Sequence, residues 1–168
     1  MMATRSALSR AASWRTLRLV ASLMLVGVVS VACDDDVTGP QTPEDVSFDP
    51  SLGVNLDAMT RLPSGVYIQT LTPGEGVEVQ DGDVANLDYV LWLSSGAAID
   101  GGQGIEFTIA SGSVIDGFRL GVIGMRPGET RLIVIPSALG YGSSGVPGIP
   151  PNSVLVFRVT LNSIVPPA

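Results

Sequence analysis

The sequence predicts an α+β domain in which an antiparallel β-sheet is half-wrapped around one short α-helix. Two stretches rich in β-branched and aromatic residues, Val84 to Leu93 and Ser153 to Ile164, are typical of strands, and the second alternates apolar and polar residues. Between them, the apolar residues from Val114 to Val122 share one face of a helix. Several strands and a single helix favour an α+β domain over a regular α/β alternation.

The other elements follow in chain order. Gly65 to Leu71 alternates apolar and polar residues in part and is predicted to be a strand. Ile105 to Ile109 is predicted to be a short strand that follows a glycine cluster. Ser113 is the expected N-cap of the helix, and Gly124 is expected to end the helix after about ten residues. Thr130 to Ile135 is a further strand, closed by a proline.

The composition excludes several kinds of chemistry. The 168 residues contain no His, and all nine basic residues are Arg, so Ser-His and Cys-His nucleophile pairs, imidazole metal sites and Schiff-base lysines are excluded. One Cys excludes an internal disulfide and a Cys-rich zinc site. We expect no metal and no cofactor. From Cys33 onward the chain has five Arg and 16 acidic residues, a net charge of −11. Such a surface repels phosphate groups, so no nucleic-acid partner is expected.

The N-terminal residues resemble a targeting signal. Residues 1–18 contain four Arg and no acid, and Leu19 to Ala32 is an apolar run of about 14 residues, shorter than the roughly 20 of a membrane span. Residues 1–32 are therefore predicted to be a lipoprotein-type signal peptide. Ser30 to Cys33 resembles a bacterial lipobox, which predicts lipidation of Cys33. A plain secretory signal with an incidental Cys is the alternative.

These features predict a domain organisation and a location. Residues 33–60 are interpreted as a lipidated tether and N-terminal extension, since they begin polar and contain three prolines. Residues 61–168 are the predicted folded domain. The expected location is the bacterial cell envelope, with the protein lipid-anchored to the membrane and facing the periplasm or the exterior.

Two features are candidates for a functional site before any family is considered. The loop from Ser137 to Pro151 is rich in Gly and Pro and carries Tyr141, a composition typical of a loop that rims a pocket, although an ordinary long hairpin loop is the alternative. Asp100 lies between Ile99 and the glycine cluster and is either a general acid or base or a turn residue.

Four motifs in consistent order resemble the FKBP-type peptidyl-prolyl cis-trans isomerases over Leu62 to Ile164. The most specific combines a Tyr-Gly pair, a loop, Ile-Pro-Pro and Leu-Val-Phe. In chain order the motifs are Leu87 to Tyr89 with Gly96 to Asp100, Val114 to Phe118, Gly124 to Glu129, and Leu139 to Phe157.

The resemblance implies an apolar pocket and assigns its residues. Its catalytic residues would be Asp100, Tyr141 and Phe157. Its substrate-binding residues would be Tyr89, Ile99, Ile105, Val114, Ile115, Phe118 and Ile149. Such a pocket is expected to bind proline-containing unfolded or extended polypeptides, and FK506-like macrolides, without a cofactor.

The implied function is peptidyl-prolyl cis-trans isomerisation, which would assist the folding of secreted and envelope proteins by stabilising the twisted X–Pro imide. The chain departs from the family pattern within the pocket. Ile99 and Ile105 stand where Phe is usual, Phe118 stands where Trp is usual, and the segment after Asp100 is short. These departures favour reduced activity and leave an alternative, a peptide-binding chaperone module of the same fold with weak or no isomerase activity.

Overall fold

A computed structural model describes residues 39–165, and these form one six-stranded antiparallel sheet with one α-helix. The sheet order is β1-β2-β5-β6-β3-β4. The elements are β1 (Thr60–Arg61), β2 (Tyr67–Thr72), β3 (Val84–Leu93), β4 (Ala98–Thr108), α1 (Asp116–Val122), β5 (Thr130–Ile135) and β6 (Leu155–Val165). Four short 3-10 helices cover Pro43–Asp45, Pro50–Leu52, Leu56–Ala58 and Ser137–Leu139. The predicted fold class is confirmed.

Strand β4 differs most from its sequence-based prediction. It begins at Ala98 and passes through the glycine cluster, where only Ile105 to Ile109 was expected to be extended. The reason is that β4 pairs with β3 along its whole length. Val84 lies opposite Thr108 at one end and Trp92 lies opposite Ala98 at the other, and the register shifts at two points between them. Gly104, at φ 63°, adopts a left-handed conformation inside the strand. The glycines are therefore part of the strand.

Helix α1 begins later than predicted. Its N-cap is Ile115, and no side chain caps the first turn, so the prediction of Ser113 as the N-cap is wrong. Gly124 follows the helix with φ 79°, which confirms it as the residue that ends the helix. The helix contacts β5 through Gly121, where an added Cβ would lie 2.5 Å from Ile133 Cγ2. This close approach brings α1 onto the inner face of the sheet.

The alternation of β6 distributes its side chains between two hydrophobic cores. Leu155, Phe157, Val159 and Leu161 belong to the inner core under α1, as predicted. Val156 faces an outer core on the other side of the sheet, whose buried members are Leu52, Met59, Tyr67, Leu132, Val134, Val154 and Val156. Two of these, Leu52 and Met59, come from residues 41–59, which we call the strap. The strap covers the outer face of the sheet.

Hydrogen bonds fasten the strap to the sheet. Glu44 Oε1 accepts from the Tyr67 hydroxyl at 2.6 Å and from Arg61 Nε at 3.3 Å. The Tyr67 hydroxyl is the main reason why the pKa of Glu44 falls from its ordinary 4.5 to about 2. The N–H of Asp49 donates to the carbonyl of Ser94 at 2.8 Å.

Acidification is expected to loosen the strap between pH 4.5 and pH 2. The pKa of Glu44 is lower in the folded state, so its stabilising effect is complete above pH 4.5 and is lost as the pH falls towards its folded value of about 2. Trp92 packs against the outer core and reports on this change. In a Trp14→Phe background, we expect the emission of Trp92 to shift to the red over this range.

A Glu44→Gln variant provides the control, because its amide does not titrate. Its Trp92 emission should show a smaller acid transition than the parent. An identical transition in both proteins would contradict the assignment to Glu44.

No helix within residues 39–165 is long and apolar enough to cross a membrane. The predicted signal peptide and the lipidation site Cys33 lie outside the described residues.

Candidate active site

A cavity of about 200 Å³ opens on the inner side of the sheet, between α1 and strands β3, β4 and β6. Each wall comes from a different part of the chain, so the cavity exists only once the sheet and the helix are packed. The lining residues are Tyr89, Leu91, Asp100, Phe107, Ser113, Val114, Ile115, Phe118, Tyr141 and Phe157.

Four aromatic rings form a closed circuit around this cavity. Phe118 on α1 lies 5.1 Å from Phe157 on β6 and 5.6 Å from Phe107 on β4, measured between ring centroids. Tyr89 on β3 completes the circuit at 5.5 Å from Phe107 and 6.4 Å from Phe157. Tilted and edge-on rings at these separations stabilise each other, and all four residues line the cavity.

A hydrogen-bonded pair stands at the edge of the aromatic circuit. The Tyr89 hydroxyl donates to Asp100 Oδ2 at 2.7 Å, and the N–H of Gly101 donates to Asp100 Oδ1 at 2.8 Å. Burial, followed by the hydrogen bond to Asp100, raises the pKa of Tyr89 to about 12. Tyr89 therefore keeps its proton at neutral pH and orients the carboxylate, while Asp100 itself is exposed at the cavity mouth.

Two hydrogen-bond donors at the cavity have no partner within residues 39–165. These are the hydroxyl of Tyr141 and the backbone N–H of Ile115, the residue just before α1. Both line the cavity, so both can donate to carbonyl oxygens of a bound peptide. An apolar cavity with a few donors at its edge is the usual construction of a small binding site.

Seven of the ten residues assigned from the sequence line this cavity, and three are not among its lining residues. Ile99 is half-buried and lies near Gly148, Ile149 is buried in the inner core, and Ile105 is 41% exposed. The residues at the cavity are Tyr89, Asp100, Val114, Ile115, Phe118, Tyr141 and Phe157.

Sequence reasoning missed three lining residues, Leu91, Phe107 and Ser113. The two-residue period of a strand could have identified Leu91, since it shares a face with Tyr89. Phe107 is two residues from Ile105 and would have been found by the same rule. No feature of the sequence identifies Ser113 as a lining residue, and it was predicted to be the N-cap of α1 instead.

Within residues 39–165, no three His, Cys, Asp or Glu side chains lie together in a way that could hold a metal ion. The groups that line the cavity are apolar side chains, one carboxylate and hydrogen-bond donors.

The family model of the FKBP-type peptidyl-prolyl cis-trans isomerases matches residues 75–162, which include all ten residues that line the cavity. The chain belongs to this family. The match includes β3, β4, α1, β5 and most of β6, and it confirms the resemblance drawn from the four motifs.

Curated relatives agree with this assignment. FK506-binding protein 4 of Gibberella zeae is 42% identical over 103 residues, which are 60% of this chain and 21% of that protein. FK506-binding protein 4 of Rhizopus delemar is 37% identical over 110 residues, which are 63% of this chain and 29% of that protein. The chain thus spans less than a third of the length of either relative.

Solved structures show the same fold. A peptidyl-prolyl cis-trans isomerase of Pseudomonas syringae superposes with a TM-score of 0.61 at 30% identity, over 65% of this chain and 82% of that one. FkpA of Escherichia coli has a TM-score of 0.61 at 34% identity, over 65% of this chain and 52% of that one.

The comparisons correct the predicted location. The curated relatives above are fungal proteins, which contradicts a lipid-anchored protein of the bacterial cell envelope that faces the periplasm or exterior. That interpretation was based on residues 1–33, which lie outside the described part of the chain.

Proposed function

We propose that this chain catalyses cis-trans isomerisation of X–Pro bonds in unfolded or extended polypeptides. The observation that carries the proposal is the aromatic-walled cavity, with the Asp100–Tyr89 pair at its edge and two donors there that have no partner among residues 39–165. Its volume of about 200 Å³ is smaller than the roughly 300–1,000 Å³ typical of pockets for whole drug-sized ligands. It is therefore suited to a single side chain such as the ring of proline.

The energetics of the reaction favour such a cavity. Rotation about an X–Pro bond is opposed by a barrier of about 18–20 kcal/mol, because conjugation is lost as the bond twists. The planar imide is more polar than the twisted one, so an apolar cavity favours the twisted form relative to water. Each tenfold acceleration requires about 1.4 kcal/mol of this preference. No proton transfer or nucleophile is needed, which suits a chain without His or Lys.

Each polar group then has a distinct role. The Tyr141 hydroxyl donates to one carbonyl of the bound peptide, and the N–H of Ile115 donates to a neighbouring one. The Asp100 carboxylate, oriented by Tyr89 and Gly101, orients the dipole of the imide as it twists. Phe157 excludes water from one side of the ring.

Removing either polar side chain is expected to slow the reaction. Asp100→Ala and Tyr141→Phe should each lower kcat/KM for an X–Pro peptide by about tenfold, which corresponds to the loss of one well-placed hydrogen bond or charge. A protease-coupled assay measures the rate. Asp57→Ala, which removes an exposed carboxylate from the strap, is the control and should leave kcat/KM unchanged. Unchanged rates in both test variants would refute the assignment, and an inactive parent would refute the activity.

A chaperone that binds apolar peptide segments with little catalysis is the second candidate. It is favoured because Ile99 and Ile105, which stand where Phe is usual in the family, are not among the residues that line the cavity. Two assays separate the candidates. An isomerase accelerates proline-limited refolding, whereas a pure chaperone raises the yield of a protein that has no slow proline step.

FK506-like macrolides are proposed ligands, because the relatives named above are FK506-binding proteins. At about 200 Å³ the cavity would hold only one part of such a molecule, and the remainder would lie outside it. Such a macrolide should compete with an X–Pro peptide for the cavity. Binding that is insensitive to the macrolide would exclude this part of the proposal.

A further inference from the structure

Ser137 connects the strap to the turn that carries Tyr141. It is fully buried, and both its N–H and its hydroxyl donate to the carbonyl oxygen of Gln41, each at 3.0 Å. On its other side, the Ser137 carbonyl accepts from the N–H groups of Gly140 and Gly142, at 3.0 Å and 2.9 Å. Those two glycines flank Tyr141.

Three backbone carbonyls hold the turn around Tyr141. The first is that of Ser137, the second is that of Gly142, which accepts from the N–H of Asn152 at 2.8 Å, and the third is that of Tyr141, which accepts from the N–H of Gly145 at 3.2 Å. The Tyr141 hydroxyl has no hydrogen bond to any residue in the described part of the chain, so its location depends on the backbone of this turn and on the packing of the side chain against the inner core. A shift of the Ser137 peptide would therefore move the hydroxyl directly.

The contact with Gln41 is the strap's link to this turn. Gln41 lies 96 residues before Ser137 in the chain and is connected through the strap to Glu44, which bonds to Tyr67. Since both donors of Ser137 bind one partly buried carbonyl oxygen, loss of the hydroxyl leaves that oxygen with a single partner in the described part of the chain.

We propose that Ser137 is a positioning residue, through which the N-terminal strap sets the position of the Tyr141 hydroxyl at the cavity. This inference rests on the proposed function, because it assigns to the strap a part in binding the peptide carbonyl. The strap is then more than a cover for the outer core: it completes the support of a residue on the other side of the sheet.

A double-mutant cycle between Ser137 and Tyr141 tests the inference in the full chain. Ser137→Ala should lower kcat/KM for an X–Pro peptide by about three- to tenfold, the effect of one lost hydrogen bond on placement. In a Tyr141→Phe background the same substitution should change kcat/KM by less than about 1.5-fold, because there is no hydroxyl left to position. Amide exchange at Gly140 and Gly142 should accelerate in Ser137→Ala. Ser51→Ala is the matched control, since it removes an exposed strap hydroxyl bonded only to Asp49, and should change neither rate nor exchange.

A merely structural role would give a different pattern. If Ser137→Ala lowered the Tm and left kcat/KM unchanged, or lowered kcat/KM by the same factor in both backgrounds, the inference would be overturned. If the parent chain showed no turnover, the proposed catalysis would fail, and the same cycle would be measured as the Kd of a proline-containing peptide by calorimetry. Additive effects on that Kd would overturn the role of Ser137 independently.

Discussion

Replacing Arg131 with methionine is expected to destabilise the domain by about 3–5 kcal/mol, the typical cost of breaking a buried ion pair by removing one partner. Arg131 is 6% exposed and Glu129 is 4% exposed. Arg131 Nε donates to Glu129 Oε1 at 2.8 Å, and Nη1 donates to the carbonyl of Gly121 at 2.8 Å. Without the guanidinium, a carboxylate remains buried without its cation.

The position of Arg131 also explains how α1 ends. Besides Gly121, its guanidinium donates to the carbonyls of Ile123 at 3.2 Å and Gly124 at 3.4 Å. Carbonyls at the end of a helix have no partner within the helix, and a buried cation satisfies them and interacts favourably with the helix dipole. The variant is therefore expected to loosen the end of α1, which should appear as faster amide exchange in its last turn.

Urea unfolding monitored by circular dichroism measures the loss of stability in the Arg131→Met variant. Arg126→Met is the matched control, because Arg126 forms an exposed pair with Glu78 at 2.8 Å and its loss should cost less than about 1 kcal/mol. Glu129→Gln in the Arg131→Met background should recover part of the stability, since it removes the uncompensated charge. Equal losses in the Arg126 and Arg131 variants would contradict the buried-pair interpretation.

Phe157→Ala is expected to have the largest effect on activity, a fall in kcat/KM of about 100-fold, equivalent to about 2.7 kcal/mol of transition-state stabilisation. Phe157 lies within 5.1 Å of Phe118 and 6.4 Å of Tyr89 between ring centroids, so its removal breaks the aromatic circuit. Water can then enter the cavity and solvate the planar imide, which removes the preference for the twisted form.

Stability and activity must be separated in this experiment. Truncating a buried Phe costs about 3–5 kcal/mol, so kcat/KM is corrected for the folded fraction measured under assay conditions. Met125→Ala is the control: Met125 is fully buried in the inner core and does not line the cavity. It should lose comparable stability while keeping its kcat/KM. A corrected kcat/KM for Phe157→Ala within twofold of the parent would reject the proposed role.

Local patterns in the sequence predicted much of the fold. Strands β3 and β5 have the predicted bounds, and the alternation of β6 correctly assigns Leu155 and Phe157 to the inner core. The bounds of β3 and β5 and the alternation of β6 can all be predicted because each depends on residues close together within one strand. The same reasoning failed for β4, because its pairing with β3 carries the strand through glycines that the sequence presents as a turn.

The site was predicted in part. Motif resemblance correctly assigned Asp100, Tyr141 and Phe157 to one cavity, although they lie on different elements. It assigned Ile105 to the wall, whereas Phe107 lines the cavity and Ile105 is 41% exposed. The two residues are two positions apart on β4 and share one face of the strand, so the order of the motifs alone could not decide which of them reaches the cavity.

By itself the sequence determined the fold class, the family and most of the residues that surround the cavity, because these follow from short-range periodicity and from motifs in a fixed order. Only the tertiary structure decided that the strap covers the outer face, that Ser137 binds Gln41, and that Arg131 caps α1. These contacts join residues that lie far apart in the chain or on different elements. Each depends on the packing of distant side chains or on hydrogen bonds between particular atoms, so no repeating pattern records it in the sequence.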